Sequence, residues 1–178
     1  PGVGLALYVR DRETAVRLGL SVEQVEALIR KPSILERLDA KASAGSVEPG
    51  FEAANAIDGN PDTMWHTRWT GGIPGYPHEL TVALKEPVAI SGLRLLPRQD
   101  GNPNGRIGEV EIFVSDDGGR WGDPVAKARL SNDAEWKTVE FDKPVKTSHI
   151  RLRALRPQNP DHPWASLAEL ELVTEKWR

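Results

Sequence analysis

A chain of 178 residues, 39% hydrophobic and 28% charged, has the makeup of a globular domain able to bury a core without disulfide staples. Its formal charge of -3 argues against the basic excess of a nucleic-acid-binding face. The absence of cysteine excludes disulfides, thiolate catalysis and cysteine-bound zinc, and no apolar run approaches the roughly 20 residues that span a bilayer.

The chain opens PGVGLALYVRDRE, a short apolar patch with no basic segment before it, which does not read as a signal peptide. A start on Pro1 rather than Met reads as a piece of a larger protein. Residues 1–40 are expected to form a helical extension or linker. DRETAVRLGL keeps Ala15, Val16 and Leu18 near one face, with Gly19 to end the helix. Ser21 then caps SVEQVEALIRK, with Gln24 as its capping-box partner. Pro32 closes that helix or begins another turn, and Ser33 is placed to cap SILERLDA. The stretch AVRLGLSVEQVEALI has the outline of a helix-turn-helix. Its second helix, however, offers Glu23, Gln24 and Glu26, the wrong charge for a phosphate-lined groove.

From about residue 40 the helical period gives way to short alternating runs between turn signals. HELTVALKEP, ISGLRLLPR, GEVEIFVSDDGG, WKTVEFDKPV, HIRLRALRP and AELELVTE each read as a strand; GNPNG, SDDGG and NPDHP read as turns. Short strands without intervening helices predict an all-β fold over residues 41–178, an antiparallel β-sandwich of jelly-roll type.

Between the extension and these strands lies AIDGNPDTMWHTRW, residues 56–69, dense in oxygen donors and flat rings. Asp58, Asn60 and Thr63 supply oxygens of the kind a calcium ion takes six to eight of, and Gly59 permits the tight bend. The same residues also form Asx turns in Gly- and Pro-rich loops without any ion. The second half, WHTRW, introduces a different chemistry. Sugar recognition combines an aromatic ring against the apolar face of a pyranose with polar side chains that read its hydroxyls. His66 and Trp69 in WHTRW, Arg98 in LLPRQDG, Asn104 in GNPNG and Trp164 in DHPWAS supply both kinds of group in loops. Trp65 reads as core, and Arg98 is open to pairing with Asp100 or Glu109. Tyr76 and His78 are expected to border the site or cap a strand, and His149 to be structural. No G-x-S-x-G or H-E-x-x-H pattern marks a hydrolase, and the acidic pairs Asp58/Asp62 and Asp116/Asp117 read as turn residues.

Taken in order, AIDGNPDTMWHT, PHELTVAL, ISGLRLLPRQDGNPNG, EVEIFVSDDGGRWG, HIRLRAL and PWASLAELEL resemble the coagulation-factor V/VIII type C, or discoidin, domain over residues 41–174. Within that family they look most like its galactose-binding, carbohydrate-module branch, seen at the N-terminus of fungal galactose oxidase and in bacterial sialidases. The resemblance implies an eight-stranded jelly roll, no catalytic activity, and a structural calcium near the loops. It places Glu169 with Asp58, Asn60 and Thr63 around the ion, joined by the backbone carbonyls of Asn55 and Ala168. It puts ligand contacts on His66, Trp69, Arg98 and Asn104, the last with a one-residue ambiguity in loop length, and an aromatic at Trp164. Glu48 is nearest to the family's acidic contact, but VEPGFEAA departs from the usual pattern there; Arg68 stands at a position that varies. The implied ligand is a glycan ending in galactose or a related sugar, with no nucleic-acid partner and no membrane insertion. The implied parent is a secreted or cell-surface protein, bacterial in type, with further domains. The alternative within the family is a structural, protein-adhesion or lipid-adhesion domain that binds no sugar.

Overall fold

The computed structural model describes residues 33–174 together with Gly19 and Ser21. The helices expected within residues 11–31 lie outside the described residues. The fold described is the compact unit that starts at Ile34.

Helix α1 spans Ile34–Arg37, directly after Ser33, and drives Leu35 into the core at 2% exposure. It ends at Asp39, a left-handed residue with φ 46°, where Ala40 N donates to Leu35 O at 3.0 Å and Asp39 N to Glu36 O at 3.0 Å. Such a closure satisfies the last carbonyls of the turn. A 3-10 turn over Ala53–Ile57 buries Ala53, Ala56 and Ile57 and delivers the chain to the oxygen-rich loop.

Eight strands follow among the described residues: β1 Lys41–Ala44, β2 Trp65–His66, β3 His78–Leu96, β4 Ile107–Ser115, β5 Ala126–Arg129, β6 Lys137–Pro157, β7 Ser166–Leu167 and β8 Glu169–Val173. One antiparallel sheet has the order β1-β3-β6-β4-β5, with β8 added to β3, and β2 pairs with β7 separately. This is the antiparallel jelly-roll sandwich that the alternation predicts, but the six runs read from the pattern merge into four of its strands, and four short strands join them. HELTVALKEP and ISGLRLLPR are one continuous strand, β3, and WKTVEFDKPV and HIRLRALRP are one strand, β6.

The reason lies in where these two strands bend. Residues 78–83 of β3 pair with 149–154 of β6, and residues 92–95 pair with 137–140. Between them the register slips twice, from Ala83 to Val88 and from Ile90 to Gly92. Pro87 sits in the first slipped segment of β3 and Pro144 in the slipped segment of β6. A proline cannot donate to the ladder, so it is tolerated where pairing is already broken. Bulges of this kind turn a strand from one layer of a sandwich into the other. The inward residues Leu80, Val82, Ile112, Ile150 and Leu152 of one layer then meet Leu93, Leu95 and Leu170 of the other, all at 0–1% exposure. Trp65 joins this core at 0% exposure, as expected, and its indole N–H donates to Ser46 O at 3.0 Å.

Candidate functional site

At one end of the sandwich, the loops of residues 67–77, 97–106 and 158–165 meet at the short β2–β7 pair. Trp65 lies opposite Leu167 and His66 opposite Ser166. Just beyond, Thr67 N donates to Ala165 O at 2.9 Å, and Ala165 N returns a bond to Thr67 Oγ1 at 3.0 Å. Ser166 N donates to Gly105 O at 2.8 Å, bringing the GNPNG loop onto the same clasp. The result is a cavity of about 340 Å³ lined by His66, Trp69, Arg98, Asn102, Asn104 and Trp164. All five side chains singled out in the sequence converge there. Asn102, the sixth, was missed; its only signal was membership of the same GNPNG turn.

Each polar group is held in a defined state. His66 is 3% exposed, and its Nδ1 sits 2.7 Å from Thr67 O. Because a carbonyl only accepts, Nδ1 carries the proton, and Nε2 of the neutral ring is left as an acceptor. Burial lowers the His66 pKa below the ordinary 6.5, and the Arg98 charge works in the same direction. Arg98, 8% exposed, donates from Nε to Asp100 Oδ1 at 2.8 Å and from Nη2 to Asp100 Oδ2, and its Nη1 bonds Asn104 O at 2.9 Å. Three of the guanidinium's five hydrogens are thereby used, so two remain for another acceptor. Of the two structural pairings open to Arg98, Asp100 is the one formed; Glu109 pairs with Arg129 and Arg156. Asn102 Oδ1 accepts from Asn104 N at 2.9 Å, an Asx turn that engages the oxygen of the side chain.

The aromatic walls are braced from behind. Trp69 is 38% exposed, and His66 meets it edge-on with ring centres 4.6 Å apart. Trp164 hangs from its own backbone: Tyr76 Oη donates to Trp164 O at 2.7 Å and His78 Nε2 to Pro163 O at 2.8 Å. Tyr76 and His78 thus border the site as supports. Burial raises the Tyr76 pKa and lowers that of His78.

On the other side of the clasp, the oxygen-rich loop closes on β8. Thr63 Oγ1 donates to Asp58 Oδ2 and lies on Asn60 O, both at 2.8 Å, and Asn60 N donates to Asp58 Oδ1 at 2.8 Å. Asp62 only closes a turn through Asn60 Oδ1, at 3.1 Å. Glu169 is 5% exposed and comes against Asp58; burial first, then that neighbouring carboxyl, pushes its pKa up to about 8. Its Oε1 is buried without a hydrogen-bond partner. Two carboxylates in contact, one with an orphaned oxygen, beside amide and hydroxyl oxygens, fit a hard cation of the calcium type. Asn55 Nδ2 donates to Met64 O at 3.1 Å, and Ala168 N, one residue before Glu169, donates to Leu96 O at 2.9 Å.

A β-sandwich with a polar, ring-walled cavity in its end loops is an architecture suited to a small ligand. Residues 40–170 match the F5/8 type C domain, and the chain belongs to that family. It is 39% identical over 142 residues to a galactose oxidase of Gibberella zeae, covering 79% of this chain and 20% of that protein. To a sialidase of Micromonospora viridifaciens it is 39% identical over 126 residues, covering 70% of this chain and 19% of that protein. The chain therefore spans about a fifth of the length of these curated relatives. Among solved structures, a family 32 carbohydrate-binding module of Clostridium perfringens, determined with galactose, superposes with a TM-score of 0.67 at 36% identity, over 75% of this chain and 93% of that one. A second module from the same organism, in complex with GalNAc-β-1,3-galactose, gives a TM-score of 0.69 at 30% identity, over 76% of this chain and 96% of that one. No helix among the described residues is long and apolar enough to cross a membrane.

The two buried histidines set an acid dependence. Both His66 and His78 are held below 6.5, so between their lowered values and 6.5 the folded chain binds fewer protons than the unfolded chain. Their contribution to stability is fully present above 6.5 and is lost as pH falls through that window. Glu169, pushed up to about 8, works in the opposite direction over the same window but is common to parent and variant. On going from pH 7 to pH 5, the urea midpoint of His78→Gln, which keeps a donor for Pro163 O, is therefore expected to change by less in the destabilising direction than that of the parent. An equal change in parent and variant would contradict the assignment.

Proposed function

We propose that this domain is a non-catalytic carbohydrate-binding module that recognises terminal galactose or a closely related sugar. Its fold would be closed by a structural calcium ion, and it would hold a larger secreted protein on its glycan. The observation that carries the reading is the convergence of His66, Trp69, Arg98, Asn102, Asn104 and Trp164 on one cavity. A galactose pyranose has an apolar face on the side away from its axial 4-hydroxyl, and Trp69 and Trp164 offer rings for such a face. A hydroxyl can give its proton to His66 Nε2 while accepting from Arg98, because the first is left as an acceptor and the second has donors to spare. The amides of Asn102 and Asn104 suit a neighbouring hydroxyl or an acetamido group. The galactose and GalNAc-galactose ligands of the two similar modules support the same sugar class.

Asp58, Asn60, Thr63 and Glu169 would hold the ion, with the carbonyls of Asn55 and Ala168. Calcium, when bound, would neutralise the Asp58–Glu169 contact and fix the oxygen-rich loop to β8. The module would then serve by proximity, raising the local concentration of a linked enzyme or adhesin at its target. One shallow site of this kind binds in the micromolar-to-millimolar range, about -4 to -8 kcal/mol. The similarity to galactose oxidase and sialidase supports a secreted, glycan-active parent.

Isothermal titration with methyl β-galactoside is expected to give a dissociation constant in that range. Trp69→Ala, a change at a half-exposed ring, is expected to weaken binding at least about tenfold while leaving the melting temperature nearly unaltered. Equal affinity in the two proteins would place the site elsewhere. For the ion, the parent's melting temperature is expected to rise with calcium and fall with chelator. Calcium at a hundred times its dissociation constant corresponds to about 2.7 kcal/mol. Asp58→Ala is expected to melt lower and to ignore both additions; a variant that responds like the parent would end the calcium assignment.

A further inference from the structure

We infer that Glu48 is a positioning residue for the ligand platform, acting through Trp69 rather than touching the sugar. Glu48 is 5% exposed and is not among the residues that line the cavity. Both of its carboxylate oxygens are turned inward. Oε2 accepts from Trp69 N at 2.8 Å and from Thr70 N at 3.0 Å, while Oε1 accepts from Thr70 Oγ1 at 2.7 Å. Residues 67–70 belong to no strand. Thr67 N is taken by Ala165 O and Arg68 N by Ser46 Oγ, while the amides of Trp69 and Thr70 find in the Glu48 side chain the partner that a ladder would otherwise supply. A carboxylate this buried is tolerable only when such donors surround it.

Glu48 is itself anchored to the site. Its amide donates to His66 O at 3.0 Å, and His66 N donates to Phe51 O at 3.1 Å. Phe51 N closes the turn on Glu48 O at 2.9 Å. The same turn brings the Phe51 ring edge-on to Trp69, with centres 5.0 Å apart, and 6.3 Å from the His66 ring that also meets Trp69. One short segment, EPGF, therefore fixes the backbone of Trp69 through Glu48 and braces its ring through Phe51. Ordering the ring before binding removes an entropy cost that the ligand would otherwise meet. An acidic side chain in this loop, at first sight a candidate for direct contact, is spent on shaping the platform.

The consequence for affinity rests on the sugar-site reading above, whereas the clamp itself is testable without ligand. Glu48→Gln can keep both amide bonds, because Thr70 Oγ1 can accept from its amide nitrogen. The decisive variant is therefore Glu48→Leu, which offers Trp69 N and Thr70 N no acceptor. The expected results are amide exchange at Trp69 and Thr70 that becomes much faster while Leu80 and Leu152 stay protected, and a dissociation constant for methyl β-galactoside raised about tenfold. Thr70→Val, which removes only the hydroxyl, is expected to weaken binding, and Thr70→Ser, which restores it, to bind more tightly than Thr70→Val. If Glu48→Leu does not fold, the threonine pair decides by the same two readouts. Unaltered exchange at Trp69 and Thr70, or an affinity within about twofold of a parent that does bind, would overturn the inference. A parent that binds no galactoside would instead sink the sugar reading, and the exchange data alone would judge the clamp.

Discussion

The clasp between β2 and β7 is the contact on which the functional end of this molecule depends. It joins positions about a hundred residues apart, through the Trp65–Leu167 and His66–Ser166 pairs and the reciprocal bonds of Thr67 with Ala165. On one side of it stand His66, Trp69 and Trp164, facing the cavity; on the other, Asp58 comes against Glu169. Because strands this short have little ladder of their own, the clasp is held by what lies under and around it. Trp65 fills the core beneath, and Gly105 brings in the third loop from above. At Gly105, with φ +82°, an added Cβ would meet Ser166 Oγ at 2.7 Å and His66 Nε2 at 3.2 Å, so the close approach admits no side chain.

The cavity is polar without presenting a free carboxylate from its lining. Asp100 is taken up by Arg98 and by Asn102 N, and Glu48 by the platform loop. What is left toward the cavity is a set of N–H donors, one imidazole acceptor and two indole rings. Such a set suits hydroxyl and acetamido groups, which both accept and donate, better than it suits an apolar insertion. The structural pairings and the binding chemistry are therefore not rival roles for Arg98: the bidentate pair with Asp100 orients the guanidinium and leaves two hydrogens for a ligand.

Much of this was legible in the residues, and the exceptions have physical causes. Alternation with period two announced β4 and both halves of β3 and β6, because one face of each is buried. It did not announce that the halves are continuous, since Pro87 and Pro144 look like strand ends unless the partner strand slips register beside them. Strands β1, β2, β5 and β7, of two to four residues, are too short to show a period and owe their existence to their partners. In the site, the ring and cation residues stood out by type, for a Trp or Arg in a Gly- and Pro-rich loop has no helix or strand role to explain it. Asn102 did not stand out, and Glu48 did so only through the family resemblance, as the nearest match to an acidic ligand contact. One is an asparagine in a turn, where asparagine is ordinary, and the other owes its role to amides of residues 69 and 70, a distance in sequence that no local pattern reports.

The account's central claim is that one cavity at the clasped end binds galactose. The most direct test is to follow the amide, indole and imidazole NMR signals of the 178-residue chain as methyl β-galactoside is added in calcium-containing buffer. The account predicts saturable shifts confined to His66, Trp69, Arg98, Asn102, Asn104, Trp164 and their immediate neighbours. Shifts centred on the sheet faces, or no shift from a folded protein at millimolar sugar, would contradict it.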